Sequence, residues 1–412
     1  MTPQTLFNII IAILILNFIK DQILDALNAK HFNDALPKEL EDVYDETEYK
    51  KSQAYKKEKY RFGVLTSCVS FIGVLLFFFL DGFAYINKIA RSVSDNEIVI
   101  ALLFFAIILF ASDIVMTPFG YYNTFVIEEK FGFNKTTRAT FFLDKLKGWL
   151  VMGIIGAGLL SAIIWFYQTT GSYFWLWAWA IISVFAVFMN LFYARLIVPL
   201  FNKQTPLQEG SLRSKIENYA NTVGFTLDNI FVIDGSKRST KANAYFSGFG
   251  KEKRITLYDT LINDLEEDEI VAVLAHEVGH YKKNHIIINL FASIITTGFT
   301  LWLLSLFVGS PLLSEALHVP QPSFHIGLIA FGVLYTPVSE LTGLLMNYLS
   351  RVFEYQADYY AKSTFSAQPL ISALKKLSKN SLSNLTPHPA YVFVHYSHPT
   401  LLQRFKSLKK RK

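Results

Sequence analysis

The sequence predicts an all-α integral membrane protein of seven transmembrane helices, with a small α+β domain carried on one face. Three observations predict it. Of 412 residues, 52% are hydrophobic and 16% aromatic while only 17% are charged, a balance too apolar for a water-soluble chain of this length. The apolar residues gather into seven runs, 6–19, 62–83, 98–119, 149–167, 173–198, 286–308 and 324–349, most of them near the roughly 20 residues that a bilayer crossing needs. Between the fifth and sixth runs, residues 199–285 carry strand and turn signals instead.

Seven crossings put the termini on opposite sides. One face receives the N-terminus, 84–97, 168–172 and 309–323, and of 39 Lys and Arg only Lys88 and Arg91 fall there. The other face holds 20–61, 120–148, 199–285 and the C-terminal tail. Excess Lys and Arg marks the cytoplasmic side, so the 199–285 domain is expected in the cytoplasm. The first run is read as a retained helix, since no Lys or Arg precedes it and no small-residue cleavage site follows. A net charge of +6 suits anionic headgroups of the lipid bilayer. No basic cluster belongs to a recognition module, so nucleic acid is not an expected partner. The single cysteine, Cys68, lies in the second run, which excludes an intrachain disulfide.

Residues 20–61 are the most highly charged part of the chain, and the second half reads as a solvated helix laced with ion pairs. Residues 118–137, aromatic and amphipathic, suit a segment lying at the membrane interface. In the 199–285 region a helix is expected over 211–223 and strands over 229–233 and 254–258, with 242–249 extended and Gly248 and Gly250 as hairpin punctuation. The extended segment would offer its edge to a peptide by strand addition, and Asn243 would then hold substrate backbone. Taken alone, Asn243 reads as an ordinary polar strand residue. In the seventh run Glu340 is costly in lipid; it reads equally as a structural pair with a neighbouring helix or as the wall of a hydrated chamber.

The chemistry concentrates in His276-Glu277-Val278-Gly279-His280. An amphipathic helix is expected here, capped by Asn263 or Asp264 and apolar at helical spacing from Leu265 to Val278. On it His276 and His280 share a face one turn apart, so both imidazoles reach one metal ion. Glu277, about 100° round, reaches a water beside the metal. This is the His-Glu-x-x-His arrangement of zinc peptidases. Beyond the seventh run, Glu354 and Asp358 share a helix face. Glu354 reads as the third zinc ligand, and Asp358 as the acceptor of a hydrogen bond from a ligating imidazole. His285 stands five residues after His280 where a three-histidine zinc site needs six, so it is read as a helix-end residue. Near the C-terminus, His398 precedes Pro399; alone it reads as a packing residue, although a cation there would stabilise an oxyanion.

With these residues the chain resembles the type I CAAX prenyl proteases, seven-span zinc metallopeptidases of membranes. The resemblance rests on His276-Glu277-Val278-Gly279-His280, Ser350-Arg351 with Glu354-Tyr355-Gln356-Ala357-Asp358, Asn243-Ala244-Tyr245-Phe246, and His398-Pro399 with Arg404. Phe125-Val126-Ile127-Glu128, Gly132-Phe133-Asn134-Lys135 and Ser52-Gln53-Ala54-Tyr55 also belong to it. It implies a helical barrel enclosing a large chamber, one zinc ion on His276, His280 and Glu354, and Glu277 as general base. It also implies a supporting or proton-donating Asp358, Asn243 on substrate backbone, and His398 and Arg404 on the substrate and oxyanion side. Tyr281 stands where Trp is usual, and Lys241-Ala242 where small or His residues are common. The expected membrane is the bacterial inner membrane, or the endoplasmic reticulum if the source is eukaryotic.

The expected activity is hydrolysis of peptide bonds in proteins prenylated at a C-terminal CAAX cysteine. Two alternatives stand beside it: a membrane quality-control protease with no prenyl requirement, and a catalytically idle membrane scaffold. The chain divides into spans one to five (1–198), the His-Glu-x-x-His region (199–285), spans six and seven (286–349), and the third-ligand helix with the basic tail (350–412).

Overall fold

Each membrane helix begins where its sequence supplies a cap and continues while apolar residues last. The structure, a computed structural model, describes residues 1–225, 230–248 and 253–410. Helix α1 (Pro3–Lys30) starts on Thr2, whose hydroxyl accepts from the Thr5 amide, and has Pro3 in its first turn, where a missing N–H costs nothing. Helix α2 (Glu46–Phe79) starts on a capping box of Asp45 and Glu48. Its 34 residues make it about 50 Å long, so its charged first four turns stand clear of the bilayer and the apolar part from Phe62 onward crosses it.

The segment 84–97, expected as a loop, contains the amphipathic helix α3 (Gly82–Val93), which buries Phe83, Ile86 and Ala90. Its Arg91 donates twice to Glu97 and once to Ser323 Oγ, so one of the two cations on that face is already neutralised. Helix α4 (Glu97–Tyr122) follows from an Asn96 cap. Helices α5 (Arg138–Thr170), α6 (Phe174–Leu196) and the short α7 (Val198–Phe201) belong to one apolar helical stretch of 64 residues. A straight helix of that length would measure about 96 Å. Instead Gly171, at φ 55°, ends α5, and α6 packs back alongside it.

After α11 (His285–Phe307) and the short α12 (Pro311–Ala316), the run expected as one seventh helix is broken. Helices α13 (Phe324–Leu334) and α14 (Thr336–Thr364) meet at 57°, where Pro337 in the first turn of α14 cannot donate to the turn before it. Among the described residues five helical stretches are long and apolar enough to cross a membrane. The α5–α6 hairpin within one of them and the bent α13–α14 pair bring the crossings to seven. Their most apolar windows are only 6–17% buried, and exposed Leu109, Phe110, Ile114 and Val115 need lipid to cover them.

Neighbour contacts run α1 to α2, through α3 to α4, then α5, α6, α11 and α13, and from α13 back to α1. That circuit is closed. Helix α13 also touches α4 across it, where the rings of Phe104 and His325 lie 4.7 Å apart. Glu340 of α14 is paired with Lys20 of α1, and the two side chains remain 37% and 36% exposed. The intramembrane carboxylate therefore has a cationic partner on another helix.

Over one end of the ring sits the mixed domain. Strands β1 (Gln204–Pro206), β2 (Ile230–Ile233), β3 (Ala244–Ser247) and β4 (Arg254–Tyr258) form a sheet of order β1-β2-β4-β3, with β2 and β4 parallel and the outer pairs antiparallel. Asn229, Phe249 and Gly250, named in the sequence expectations, lie outside the described residues. Helix α8 (Ser211–Thr222) and the helices α9 (Asp259–Asp264) and α10 (Glu267–Lys282) bury Ile216, Leu261, Ile270 and Leu274 against β4. Asn263 and Asp264 close α9 rather than cap α10. The α10 cap is Glu266, in a capping box with Glu269, because Leu265 is drawn into the core between the two helices.

The aromatic segment after α4 is packed inward instead of lying at the interface. Ile127, Phe131 and Phe133 are buried against Tyr44, Tyr55, Leu382 and Leu385, held there by Lys135 N–H to Arg238 O and Thr240 N–H to Phe133 O. The same cluster buries Ser52 and Tyr55, so the charged end of α2 is solvated on one face only. Helices α15 (Ala367–Asn380), α16 (Pro389–His395) and α17 (Leu401–Lys409) complete the chain.

Candidate metal centre

Helix α10 owes its place to Gly279. A Cβ there would lie 3.0 Å from Ala357 Cα and 3.2 Å from Ala357 O of α14, so only a glycine lets the two backbones approach this closely. Ala357 lies between Glu354 and Asp358 on α14, and the contact therefore brings both carboxylates up to the histidines. Gly279→Ala should cost about 1–3 kcal/mol of stability through overpacking and weaken metal binding by pushing α14 away. A thermal melt and a metal titration test it; a variant unchanged in both would show that the contact can relax.

His276, His280 and Glu354 each offer one ligand atom, and these atoms all lie within 4.8 Å of one another. His276 Nε2 and His280 Nε2 are 3.1 Å apart, 3.4 and 3.3 Å from the two Glu354 oxygens. Glu354 is 4% exposed and its Oε2 has no hydrogen-bond partner. Two imidazole nitrogens and an orphaned buried carboxylate oxygen converging on one point fit a divalent cation. Burial disfavours the Glu354 carboxylate, yet the neighbouring His276, His280 and Arg404 hold it well below the usual carboxylate range.

The rings are set from behind. His276 Nδ1 lies 2.9 Å from Asp358 Oδ1, and Arg404 grips the same carboxylate, Nε donating to Oδ2 at 2.9 Å and Nη2 to Oδ1 at 2.5 Å. Arg404 Nη1 also reaches Glu354 Oε2 at 3.4 Å. Expected at the oxyanion side, Arg404 is thus engaged by the two buried carboxylates. Burial opposes a charged His276, but Asp358 and Glu354 outweigh it and raise its pKa from 6.5 to about 9. Before metal enters, this ring's contribution to stability is full below about pH 6.5 and is lost as pH rises through about 9. Melting of chelator-treated protein should fall across that window, and a flat profile would contradict it.

His285, read from the sequence as a helix-end residue, does begin α11, and it also supports His280. Asn284, at φ 58°, pivots the chain between α10 and α11 and turns His285 back. Its Nδ1 lies 3.0 Å from His280 Nδ1 and its Nε2 2.9 Å from Gln356 Oε1. The ring stacks on Phe353 at 4.2 Å. One proton arrangement satisfies all of these: His285 Nε2–H donates to Gln356, and His280 Nδ1–H donates to His285 Nδ1. That leaves the His280 Nε2 lone pair free for a metal. Removing such a partner typically lowers metal affinity 10–100-fold, the loss expected for His285→Ala in a chelator competition; unchanged affinity would make the relay dispensable. The signal available in the sequence was Asn284, a residue type tolerant of left-handed backbone.

On the open side, Glu277 is partly exposed and takes no hydrogen bond among the described residues. His398, its side chain 63% exposed, has Nε2 3.3 Å from Glu354 Oε1. Its Nδ1 pairs with Ser397 Oγ at 2.9 Å. Asn243 is exposed at the start of the edge strand β3, and Ala242 and Ala244 on either side pack against the core that includes Val271, Ala275 and Val278 of α10.

The chain matches two family descriptions in succession. Residues 25–203 match the CAAX prenyl protease N-terminal region of five membrane helices, and residues 206–412 match peptidase family M48. It is 39% identical to the CAAX prenyl protease 1 homolog of Arabidopsis thaliana, over 90% of each chain. It is 36% identical to CAAX prenyl protease 1 of Saccharomyces cerevisiae, over 90% of this chain and 88% of that one. The crystal structure of S. mikatae Ste24p superposes with a TM-score of 0.94 at 33% identity, covering 98% of this chain and 99% of the other.

Proposed function

The chain belongs to peptidase family M48, and from that premise we propose that it is a membrane zinc endopeptidase acting on proteins prenylated at a C-terminal CAAX cysteine. The observation that carries the reading is the convergence of His276, His280 and a Glu354 oxygen that accepts no hydrogen bond, beside a free Glu277. Related proteins over most of their length bear the CAAX prenyl protease name. Residues 1–198 and 286–349 are assigned to the membrane ring, and 199–285 with 350–412 to the peptidase side. That side faces the cytoplasm in this reading, which the distribution of Lys and Arg supports.

His276, His280 and Glu354 would hold the ion, the two histidines through Nε2. When bound, zinc supplies a Lewis acid that polarises a peptide carbonyl and acidifies water. Glu277 takes the proton of the attacking water and hands it to the leaving amine. His398, on the solvent side of Glu354, donates to the carbonyl oxygen as charge develops. Asn243 and the β3 edge hold the peptide extended. Asp358 and Arg404 lie behind His276, so their part is to fix its ring and charge.

The test is cleavage of one CAAX peptide with and without its farnesyl group, before and after metal removal by a chelator. Metal-dependent cleavage of the farnesylated form alone supports the reading. Equal cleavage of both forms would make it a broad membrane protease, and no cleavage by zinc-loaded protein would overturn the substrate.

A further inference from the structure

A substrate strand on β3 has a direction, and that direction leads to a cluster of lysines. Tyr258 N–H donates to Asn243 O at 3.0 Å, so residues 243, 245 and 247 point their backbone groups at β4. By the alternation of an antiparallel ladder, Ala244 and Phe246 present theirs to the free edge. The Ala244 N–H on that edge is occupied by Asn243 Oδ1, 2.9 Å away, a side chain that an incoming carbonyl can replace. A peptide adding antiparallel, the more stable pairing, runs its C-terminal end past Asn243 toward Lys241.

At that end two ammonium groups share one carboxylate and a third stands beside them. Lys241 Nζ lies 3.0 Å from Glu128 Oε2 and 3.1 Å from Tyr55 Oη. Lys59 Nζ lies 3.3 Å from Glu128 Oε1 and 2.7 Å from Asn123 Oδ1. Lys56 Nζ stands 5.4 Å from the centre of the Tyr55 ring, the same distance as Lys241 Nζ, and has no acidic partner among the described residues. Burial and the cations of Lys241 and Lys59 push the Lys56 ammonium down to about 8, the behaviour of a cation short of a counter-charge. Glu128 is already shared between Lys59 and Lys241.

We propose that Lys56, with Lys241 and Lys59 beside it, receives the free C-terminal carboxylate of the substrate. The inference rests on the CAAX reading above, in which three residues follow the cleaved bond. With the scissile bond placed opposite Ala244, whose N–H lies on the free edge, three extended residues, about 10 Å, reach the level of Lys241. The cluster then measures the distance from terminus to scissile bond. A peptide without a terminal carboxylate, or with extra residues beyond it, leaves Lys56 unpaired, and buried charge left unpaired is costly.

The experiment compares a farnesylated CAAX peptide bearing a free C-terminal carboxylate with the same peptide amidated. Wild-type protein should cleave the acid with a kcat/KM at least about tenfold higher, mostly through KM. Lys56→Met should lose that preference by slowing on the acid alone, and Lys56→Arg should keep much of it. Because Lys56 has no ion-pair partner among the described residues, the Met variant should melt no lower than wild type. Should it fail to fold, the released tripeptide is tested as an inhibitor of wild-type protein: the acid should inhibit at least about tenfold better than the amide. Equal wild-type cleavage of acid and amide, equal inhibition by the two tripeptides, or an unchanged preference in Lys56→Met would overturn the carboxylate receiver while leaving the protease reading standing. Failure of zinc-loaded protein to cleave either peptide overturns the receiver together with the CAAX substrate.

Discussion

Glu354→Ala should yield a protein that neither retains zinc through purification nor hydrolyses peptide. The carboxylate is the one anion among the three converging ligands, so its loss removes a bond to the cation and the charge that neutralises it. Affinity should fall by more than the 10–100-fold typical of outer hydrogen-bond partners. The metal-free variant should also be less stable than metal-free wild type, by about 3–5 kcal/mol if the buried His276, Asp358 and Arg404 cannot rearrange. Elemental analysis and a thermal melt read the two effects separately. Undiminished zinc would move the third ligand elsewhere, and His285, 3.0 Å from His280, would be the first residue to examine.

How much of this centre was legible in the sequence depends on how local each contact is. His276 and His280 are fixed by one turn of a helix, so spacing alone set them face to face. Glu354 and Asp358 share a face for the same reason, but their docking on α10 depends on Gly279 meeting Ala357, a packing fact that no periodicity carries. The His280–His285–Gln356 relay needs both the left-handed Asn284 and the far helix α14. The resemblance puts Arg404 on the substrate and oxyanion side, and its pairing with Asp358 comes from tertiary packing that no local pattern carries. The spans were read correctly in number because apolar length is a property of composition. The bend in the last of them was not, since Pro337 breaks a stretch read as one continuous span. In the same way, aromatic residues that suit a membrane surface also suit a buried cluster, and only the docking of Phe131 and Phe133 on Tyr55 decided between the two.

Replacing Glu277 with glutamine separates chemistry from assembly. The side chain is partly exposed and accepts no hydrogen bond among the described residues, so an isosteric amide should leave the helix, the ligands and the metal content as they are. What it removes is the ability to take a proton from water and return it to the amine. General base and acid catalysis is typically worth 10²–10⁴-fold, and kcat should fall by about that factor while KM and bound zinc stay near wild type. The contrast with Glu354→Ala is the informative part: one variant loses the metal, the other keeps it idle. If Glu277→Gln stayed within about tenfold of wild type, the proton would have to travel by another group. His398, with Nε2 3.3 Å from Glu354 on the open side, is the residue positioned to carry it. Activity of the double substitution would then decide whether the two side chains share the proton or act in sequence, because residues working as a unit lose little more together than singly.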